Sequence, residues 1–392
     1  MLDDTQASSE GNQNMTTTAV ASPAPAHAPV EAKSKPVLWW AGFGALTLGM
    51  ALYVWARWIG SSNFHRVPTG PTPIPDWMRI SAVSIEIIGV LAQIAAIWFW
   101  LIRPWLRQRH ISFDGLFFLA CWTLYWQDPL YNYTQHAFMY NSVFWNMGSW
   151  ANFVPGWMAP HAGRFPEPVL FSGLWFGYFL YGSIVLMNKG MVWAKKRWPS
   201  LGPLGLISFA IGVMMCVDFF MEVVFIRLGF YSYPGALKGW TVFFGKPYGF
   251  PIYESILFGV FWGLLASVRY FKNDKGETIV ERGIDEVRFG GAKRKTLVRF
   301  LAMVGIVNLL NAFGYNLPMQ LFTLHSTAWP KSVVEKSYFT NGICGPETNT
   351  LCVGGPGIPI VTRGSAHFTQ DGQLVYPKGV RPPTPVKEQV TK

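Results

Sequence analysis

Long apolar stretches separated by polar segments are the main pattern along this chain. A helix that crosses a bilayer needs about 20 mostly apolar residues. Continuous runs of this kind favour helices, because the strands of outer-membrane barrels alternate apolar and polar residues. The pattern predicts an all-α fold, a polytopic integral membrane helix bundle of about seven transmembrane helices within residues 36–325. The seven stretches lie near residues 37–58, 80–102, 112–132, 169–188, 204–226, 251–271 and 298–322.

Composition supports this class. Of the 392 residues, 51% are hydrophobic and only 14% are charged. A soluble globular domain has about 25% charged residues, so the sequence argues against one.

Lys and Arg predict the orientation of the bundle. With seven spans, the N-terminus and the loops 103–111, 189–203 and 272–297 share one side, and these segments are rich in Lys and Arg. The opposite loops are sparser, and 133–168 carries only Arg164. The positive-inside rule then places the N-terminus in the cytoplasm and the C-terminal tail outside, in a multi-pass protein of the plasma membrane.

The net charge of +11 fits contact of this basic side with anionic membrane lipids. Nucleic acid is not an expected partner, because no basic soluble domain exists to bind it.

Two terminal tails flank the predicted bundle. Residues 1–35 are rich in Ala, Pro, Thr and Ser, so we expect a disordered cytoplasmic tail. Residues 326–392 are expected to form an extracytoplasmic tail that is disordered toward its end. Oxidising surroundings there would let Cys344 and Cys352 form a disulfide. Two free thiols are the alternative if the tail is cytoplasmic.

Five carboxylates within the apolar stretches are the strongest functional signal. They are Glu86, Asp128, Asp218, Glu222 and Glu254, and the predicted topology puts all of them toward the outer face. An acidic side chain at membrane depth costs several kcal/mol, so it faces a cavity, pairs with another group or takes part in chemistry. We therefore take these five as candidate catalytic residues.

Asp218 and Glu222 form the most suggestive pair. They are four residues apart and so lie one turn apart on one helix face. Two anions this close in a medium of low dielectric repel each other, so at least one is expected to keep its proton. Such a pair suits general acid–base catalysis. The alternative is a structural pair neutralised by Arg227 or by a neighbouring helix.

The other three carboxylates have structural alternatives. Glu254 stands in the first turn of a predicted helix, where the helix dipole alone favours an acid. Asp128 precedes Pro129, and this dipeptide predicts a helix break followed by a restarted turn. Glu86 has no cation beside it in sequence, so it either lines a cavity or pairs with another helix.

The long 133–168 loop is aromatic and almost uncharged, which argues for a functional loop rather than a disordered one. We interpret it as a lid over the outer end of the bundle. Its residues and polar residues of other segments are candidate substrate-binding groups, although each also has an ordinary structural explanation. These candidates are His136, Tyr140, Asn141, Asn146, Trp150, Trp157, Tyr231, Tyr253, Asn311 and Tyr315.

Two further features remain ambiguous from sequence. His136 and His161 can shuttle protons, although a single loop histidine often has no such role. Asn308 and Asn316 recur with Asn311 and Tyr315 at helical spacing. They predict either a polar cavity wall or interhelical hydrogen bonds.

Motifs for metals and cofactors are missing from the sequence. It contains no phosphate-binding glycine loop, no dinucleotide fingerprint and no paired His or Cys metal-binding motif. We expect no cofactor and no metal.

Several sequence blocks resemble the AveC-like spirocyclase family, which includes many actinobacterial membrane proteins. The resemblance runs from about residue 36 to residue 352. It implies cyclisation of a polyketide dihydroxy-ketone to a spiroketal in secondary metabolism, with dehydration as a second activity, and it transfers no catalytic residues. The blocks are Gln127-Asp128-Pro129, Tyr140-Asn141, Asn146-Met147-Gly148-Ser149-Trp150, Pro155-Gly156-Trp157, Pro166-Glu167-Pro168, Asp218-Phe219-Phe220-Met221-Glu222, residues 229–236, Pro251-Ile252-Tyr253-Glu254 and residues 337–344.

These observations lead to one main hypothesis and two alternatives. The main hypothesis is an intramembrane acid–base cyclase or dehydratase that acts on a hydrophobic, lipid-like hydroxy-ketone of polyketide or isoprenoid type. The first alternative is a proton-coupled transporter of lipids or small molecules. The second is a structural or accessory membrane subunit whose acids only hold helices together.

Overall fold

The computed structural model describes residues 35–287, 291–348, 350–352, 366–368 and 373–376. Within them the chain forms a mostly helical bundle, so the predicted all-α fold is confirmed. The predicted disordered tail, apart from Lys35, lies outside the described residues, as does most of the chain after residue 352.

Helices make up the bundle and the segments packed against it. They are α1 Pro36–Ile59, α2 Asp76–Ala96, α3 Arg103–Gln108, α4 Phe113–Trp122, α5 Ser172–Arg197, α6 Pro203–Arg227, α7 Ile252–Tyr270, α8 Gly291–Asn311, α9 Leu317–Thr323, α10 Lys331–Val334 and α11 Ser337–Thr340.

Five helical segments in the described residues are long and apolar enough to cross a membrane, judged by length and composition. They coincide with five of the seven predicted spans and cover Pro36–Ile59, Asp76–Gln108, Pro203–Arg227, Ile252–Tyr270 and Gly291–Thr323. The protein is therefore built as a multi-pass membrane protein. Its orientation stays a prediction.

The other two predicted spans differ from expectation. The 169–188 stretch lies mostly within α5, which is 26 residues long but carries Asn188 and ends in a basic last turn. The 112–132 stretch is α-helical for only 10 residues, over α4, and continues as a 3₁₀ helix over Thr123–Asn132. The helix thus changes earlier than the expected break at Pro129. At the change, the Thr123 hydroxyl donates to the Ala120 carbonyl at 2.6 Å, a bond that bends helices.

Two of the long helices contain a π-helical segment just before a proline. Ile97–Ile102 joins α2 to α3, which contains Pro104, and Ala312–Asn316 joins α8 to α9, which contains Pro318. Proline lacks an N–H and clashes with the preceding turn, so a wider turn relieves the helix. The second π segment contains Tyr315 and Asn316, which line a cavity inside the bundle.

Glycines let α1 and α8 approach very closely. A Cβ atom added to Gly44 would lie 1.8 Å from the Leu301 carbonyl oxygen, and one added to Gly305 would lie 2.2 Å from that of Trp40. Helices in membranes associate through such small residues, because lipid provides no hydrophobic drive.

Glycines also let α6 and α7 pack closely. A Cβ atom on Gly259 would lie 2.3 Å from Met215, and one on Gly263 would lie 2.7 Å from the backbone of Ile211. This close packing sets the separation between side chains farther along the two helices, including the acids of α6 and α7.

Short strands and the C-terminal segment hold the 133–168 loop in place. β1 Met139–Tyr140 pairs with β2 Tyr231–Ser232, and Tyr140 stands opposite Tyr231. Asn341, which follows α11, donates its side-chain amide to the Tyr140 carbonyl at 3.0 Å. A disulfide joins Cys344 to Cys352, with their Cα atoms 4.9 Å apart. The other pairs join β3 Thr241–Val242 to β4 Phe250–Pro251 and β5 His367–Phe368 to β6 Leu374–Val375.

The α1–α8 contact yields a stability prediction. We expect Gly44→Ala to lower the unfolding free energy by about 1–3 kcal/mol, because the methyl group overpacks the interface. Thermal unfolding of the detergent-solubilised protein measures the change. Gly42→Ala is the matched control, because a Cβ atom there meets nothing within 4 Å. Equal melting temperatures for the two variants would contradict the close helix contact.

Candidate active site

A cavity of about 90 Å³ lies where α5, α6, α7, the 3₁₀ segment, the second π segment and the 133–168 loop meet. Its wall combines carboxyl groups, tyrosine hydroxyls and aromatic rings. The lining residues are Gln127, Asp128, Tyr131, Phe138, Tyr140, Phe171, Ser172, Trp175, Phe176, Asp218, Met221, Glu222, Phe225, Tyr231, Tyr233, Glu254, Phe258, Asn311, Tyr315 and Asn316.

Three carboxyl groups converge on one wall. Asp218 and Glu222 project from one face of α6, and Glu254 projects from the first turn of α7. One oxygen from each lies within 4.8 Å of the others. All three side chains are buried, with exposures of 1%, 8% and 2% in that order. We call Asp218, Glu222 and Glu254 the carboxyl triad.

Hydroxyl groups surround the carboxyl triad. Tyr231 and Tyr233 donate to the two oxygens of Glu222 at 2.7 and 2.8 Å. Ser255 donates to Asp218 Oδ2 at 2.8 Å, and Tyr315 donates to Glu254 Oε1 at 3.0 Å. Among the described residues, Glu222 therefore has a hydroxyl donor on both oxygens, whereas Asp218 and Glu254 each have a hydroxyl donor on one oxygen.

Positive charge is missing from this wall. Among the described residues that line the cavity, none is Lys, Arg or His. Arg227, considered above as a partner for Asp218 and Glu222, lies instead over the Tyr248 ring, with its guanidinium carbon 3.8 Å from the ring centre. Buried carboxylates without a cation are strongly unfavourable, so the triad requires protons or a bound cation.

The triad has a geometry that can hold a metal ion. Oxygens bound to one Ca²⁺ lie about 2.3–2.6 Å from it, so they are separated by up to about 5 Å. The 4.8 Å limit within the triad fits that range. Proton sharing between the acids is the other way to neutralise them.

A second pair of carboxyl groups borders the same cavity. Asp128 lines it and accepts hydrogen bonds on Oδ2 from Tyr140 at 3.0 Å and from Ser172 at 2.8 Å. The carboxyl group of Glu167, which is fully buried, contacts that of Asp128. Burial first, and then the charge of Asp128, raise the pKa of Glu167 well above its ordinary value.

Our reading of the sequence missed Glu167 as a site residue. Its signal was present, since Glu167 stands between two prolines and is the only acid of an otherwise nearly uncharged loop. Tyr233 was also missed. It follows Tyr231 by two residues, and residues two apart in an extended segment point to the same side.

Glu86 does not line the cavity. It is half-buried and accepts a hydrogen bond from the backbone N–H of Trp145 at 2.8 Å. The structure thus brings together four of the five candidate carboxylates and places Glu86 elsewhere.

The candidate substrate-binding residues divide in the same way. Tyr140, Tyr231, Asn311 and Tyr315 line the cavity. The other six do not line it, namely His136, Asn141, Asn146, Trp150, Trp157 and Tyr253.

These six side chains make structural contacts instead. Trp150 and Trp157 donate their indole N–H groups to the carbonyls of Trp126 and Ala159 at 2.7 and 2.9 Å. Tyr253 stacks on Phe322 with ring centres 4.1 Å apart.

Two asparagines of the 133–168 loop bind backbone groups. The Asn141 amide donates to the Gly229 carbonyl at 2.8 Å, and Asn146 Oδ1 accepts from the Val67 N–H at 3.0 Å.

His136 is buried against the loop backbone. Its Nε2 atom lies 2.6 Å from the Pro160 carbonyl oxygen, to which it donates. Burial lowers the pKa of His136 to about 4, so the ring is neutral at neutral pH. It borders a separate small hollow beside Cys344.

A network of hydrogen-bonded side-chain amides borders the same cavity as the carboxyl triad. Gln127 Oε1 accepts from the side chains of Asn311 and Asn316, each at 3.0 Å. Gln127 Nε2 donates to Asn308 Oδ1 at 2.8 Å. The predicted row of asparagines thus makes interhelical hydrogen bonds, and two of its members also line the cavity.

Comparison with known proteins gives one match. The family model described as "Spirocyclase AveC-like" matches residues 108–339, which is more than half of the chain. Searches of curated proteins and of solved structures found no match. The matched region contains the second carboxyl pair, the carboxyl triad and the tyrosines that bind them. The chain belongs to the AveC-like spirocyclase family.

Proposed function

We propose that this protein is an acid–base cyclase that converts a hydrophobic dihydroxy-ketone of polyketide or isoprenoid type into a spiroketal and water within the membrane. Membership of the family supports a cyclase-type function in general. The observation that carries the proposal is the carboxyl triad in a mostly aromatic cavity, whose lining in the described part of the chain includes no cationic side chain.

The reaction needs a proton donor and an anion close to one carbon atom. One substrate hydroxyl adds to the ketone and gives a hemiketal. The hemiketal hydroxyl then takes a proton and leaves as water, and the oxocarbenium ion that remains is attacked by the second hydroxyl, which loses its proton. Acid catalysis of such steps contributes about 10²- to 10⁴-fold.

Hydrogen bonding indicates which member of the triad is the anion and which members donate the proton. Glu222 receives donors from Tyr231 and Tyr233, and such bonds favour the ionised form of a carboxyl group. Glu222 is therefore assigned as the anion that stabilises the oxocarbenium ion. Asp218 and Glu254 face each other with fewer donors, so they hold the proton that the leaving hydroxyl takes.

The aromatic wall suits a cationic intermediate. Trp175, Phe225 and Phe258 line the cavity, and ring faces attract a nearby positive charge. The wall also limits water, which would reopen the ring. A cavity of about 90 Å³ holds several water molecules or one part of a ligand. Binding of a whole long-chain substrate thus requires the wall to move.

The first prediction tests the triad. Asp218→Asn and Glu222→Gln are each expected to lower turnover about 10²-fold or more, because each removes an ionisable group from the acid–base set. Membranes containing each variant are given a synthetic dihydroxy-ketone, and the stereoisomers of the spiroketal are separated by chiral chromatography with mass detection. Uncatalysed closure gives a stereoisomer mixture, so an excess of one isomer reports the enzyme.

Glu86→Gln is the matched control, because Glu86 lies outside the cavity lining. Its turnover should equal that of the unmodified protein. Full turnover in both the Asp218 and Glu222 variants, at normal membrane levels, would remove the triad from the mechanism.

The second prediction tests the tyrosines. A hydrogen bond to a charged group is worth about 1.5–3 kcal/mol, which corresponds to about 10- to 100-fold in rate. Tyr231→Phe and Tyr233→Phe should each lower kcat by about this factor, with a smaller effect on KM. Tyr53→Phe, at an exposed position of α1, serves as the control. An unchanged kcat in both cavity variants would refute the role of Glu222 as a hydrogen-bonded anion.

The third prediction separates the cyclase from a proton-coupled transporter, which would use the same acids as a relay. Purified protein in proteoliposomes is expected to convert the dihydroxy-ketone without moving it across the bilayer. Uptake that depends on an imposed pH gradient and disappears in Asp218→Asn would favour the transporter instead.

A further inference from the structure

We propose that Asp128 is the general base of this site and that Glu167 is its positioning residue, so that two carboxyl centres act on a substrate held between them. This inference rests on the proposed cyclase function. It adds a second centre, distinct from the carboxyl triad, and gives a role to an acid that the triad does not use.

The first support is the position of Asp128. It lines the same cavity as the carboxyl triad, but it belongs to the 3₁₀ segment rather than to α6 or α7. Two centres on different walls of one cavity can serve two atoms of one substrate. The triad supplies a proton to the departing oxygen, and Asp128 accepts the proton of the attacking hydroxyl.

The second support is the hydrogen bonding of the pair. Asp128 Oδ2 accepts from Tyr140 and Ser172, as an ionised base does. Neither oxygen of Glu167 accepts a well-formed hydrogen bond from an N–H or O–H group, although Ser149 lies beside it. Because Glu167 is fully buried and touches Asp128, its carboxyl group must carry the proton that joins the two. The raised pKa of Glu167 agrees with this assignment.

The third support is the link between the centres. Tyr140 donates to Asp128, and Tyr231 donates to Glu222. The two tyrosines are direct cross-strand partners on β1 and β2, with ring centres 5.8 Å apart. One strand pair therefore sets the distance between the base and the triad.

The proton balance closes for each addition step. In the first addition, the ketone oxygen takes one proton from the triad and becomes the hemiketal hydroxyl. In the second, that hydroxyl takes one proton from the triad and leaves as water. In each addition, the attacking hydroxyl gives one proton to Asp128. Return of that proton from Asp128 to the triad restores both centres. Over two additions, the dihydroxy-ketone becomes a spiroketal and one water, and no oxidant or other reactant is needed.

Glu167 acts through Asp128, so substitutions of Glu167 should change how turnover depends on pH. The titratable side chains that face the pair are Tyr125 and Tyr140. When pH rises through the raised pKa of Glu167, a second negative charge appears beside Asp128 and perturbs the base. Turnover of the unmodified protein should decline over the same pH interval. Glu167→Gln, which stays neutral and can still donate to Asp128, should keep activity within about tenfold at neutral pH and lose this decline.

Two further variants, Asp128→Asn and Glu167→Ala, test the roles of base and positioning residue through turnover. Asp128→Asn should lower turnover about 10²-fold or more, because the amide cannot accept the proton. Glu167→Ala should lower kcat more than Glu167→Gln does, with KM less affected. The same decline with rising pH in Glu167→Gln and in the unmodified protein, or full turnover in Asp128→Asn, would overturn the proposal.

A measurement without substrate tests the Asp128–Glu167 pair even if the protein does not cyclise the dihydroxy-ketone. A carboxyl group whose pKa is raised in the folded state adds stability below that pKa, and this stability is lost as pH rises through it. The melting temperature of the detergent-solubilised protein should therefore fall as pH rises from the ordinary carboxyl range to the raised pKa of Glu167, and Glu167→Gln should remove that part of the fall. A parallel pH dependence in both proteins would show that Glu167 is not the proton carrier. Failure of the unmodified protein to cyclise the probe would instead reject the proposed function.

Discussion

Three carboxyl groups, from Asp218, Glu222 and Glu254, face one another in a cavity whose described lining residues include no Lys, Arg or His. This contact is the constraint on which the site depends, because ionised carboxylates at this spacing repel strongly in a medium of low dielectric. In the proposed mechanism, protons shared within the cluster relieve the repulsion. An acid-catalysed loss of a hydroxyl group requires the same shared protons. The repulsion that destabilises three buried carboxylates is therefore also the reason that a proton is available for catalysis.

Close backbone packing holds these groups together, and none of them forms an ion pair within the described ranges of the chain. Gly259 and Gly263 allow α7 to contact α6 directly, and this contact brings Glu254 to Asp218 and Glu222. The β1–β2 pair then places one tyrosine on each carboxyl centre. In a membrane, where lipid is as apolar as most side chains, such small-residue contacts and interhelical hydrogen bonds are the main forces available.

The sequence predicted the bundle and much of the site for identifiable reasons. Acids within apolar runs stand out, and a four-residue spacing places two of them on one helix face, so Asp218 and Glu222 could be paired in advance. Glu86 has the same kind of sequence context, yet its carboxylate binds the Trp145 backbone. Contacts of Glu167 and Tyr233 depend on how loops fold over the bundle, which the apolar pattern of the helices does not encode. The early end of α4 likewise depends on tertiary hydrogen bonds, such as that of Gln127 with Asn308.

The central claim is that protons neutralise the carboxyl triad. Infrared difference spectroscopy of the purified protein, comparing it with Asp218→Asn and Glu254→Gln at neutral pH, tests it most directly. We expect a carbonyl stretching band of protonated carboxyl groups that shifts in deuterated water and weakens in each variant. A spectrum without such a band, together with one divalent metal ion bound per protein and lost in the same variants, would contradict it.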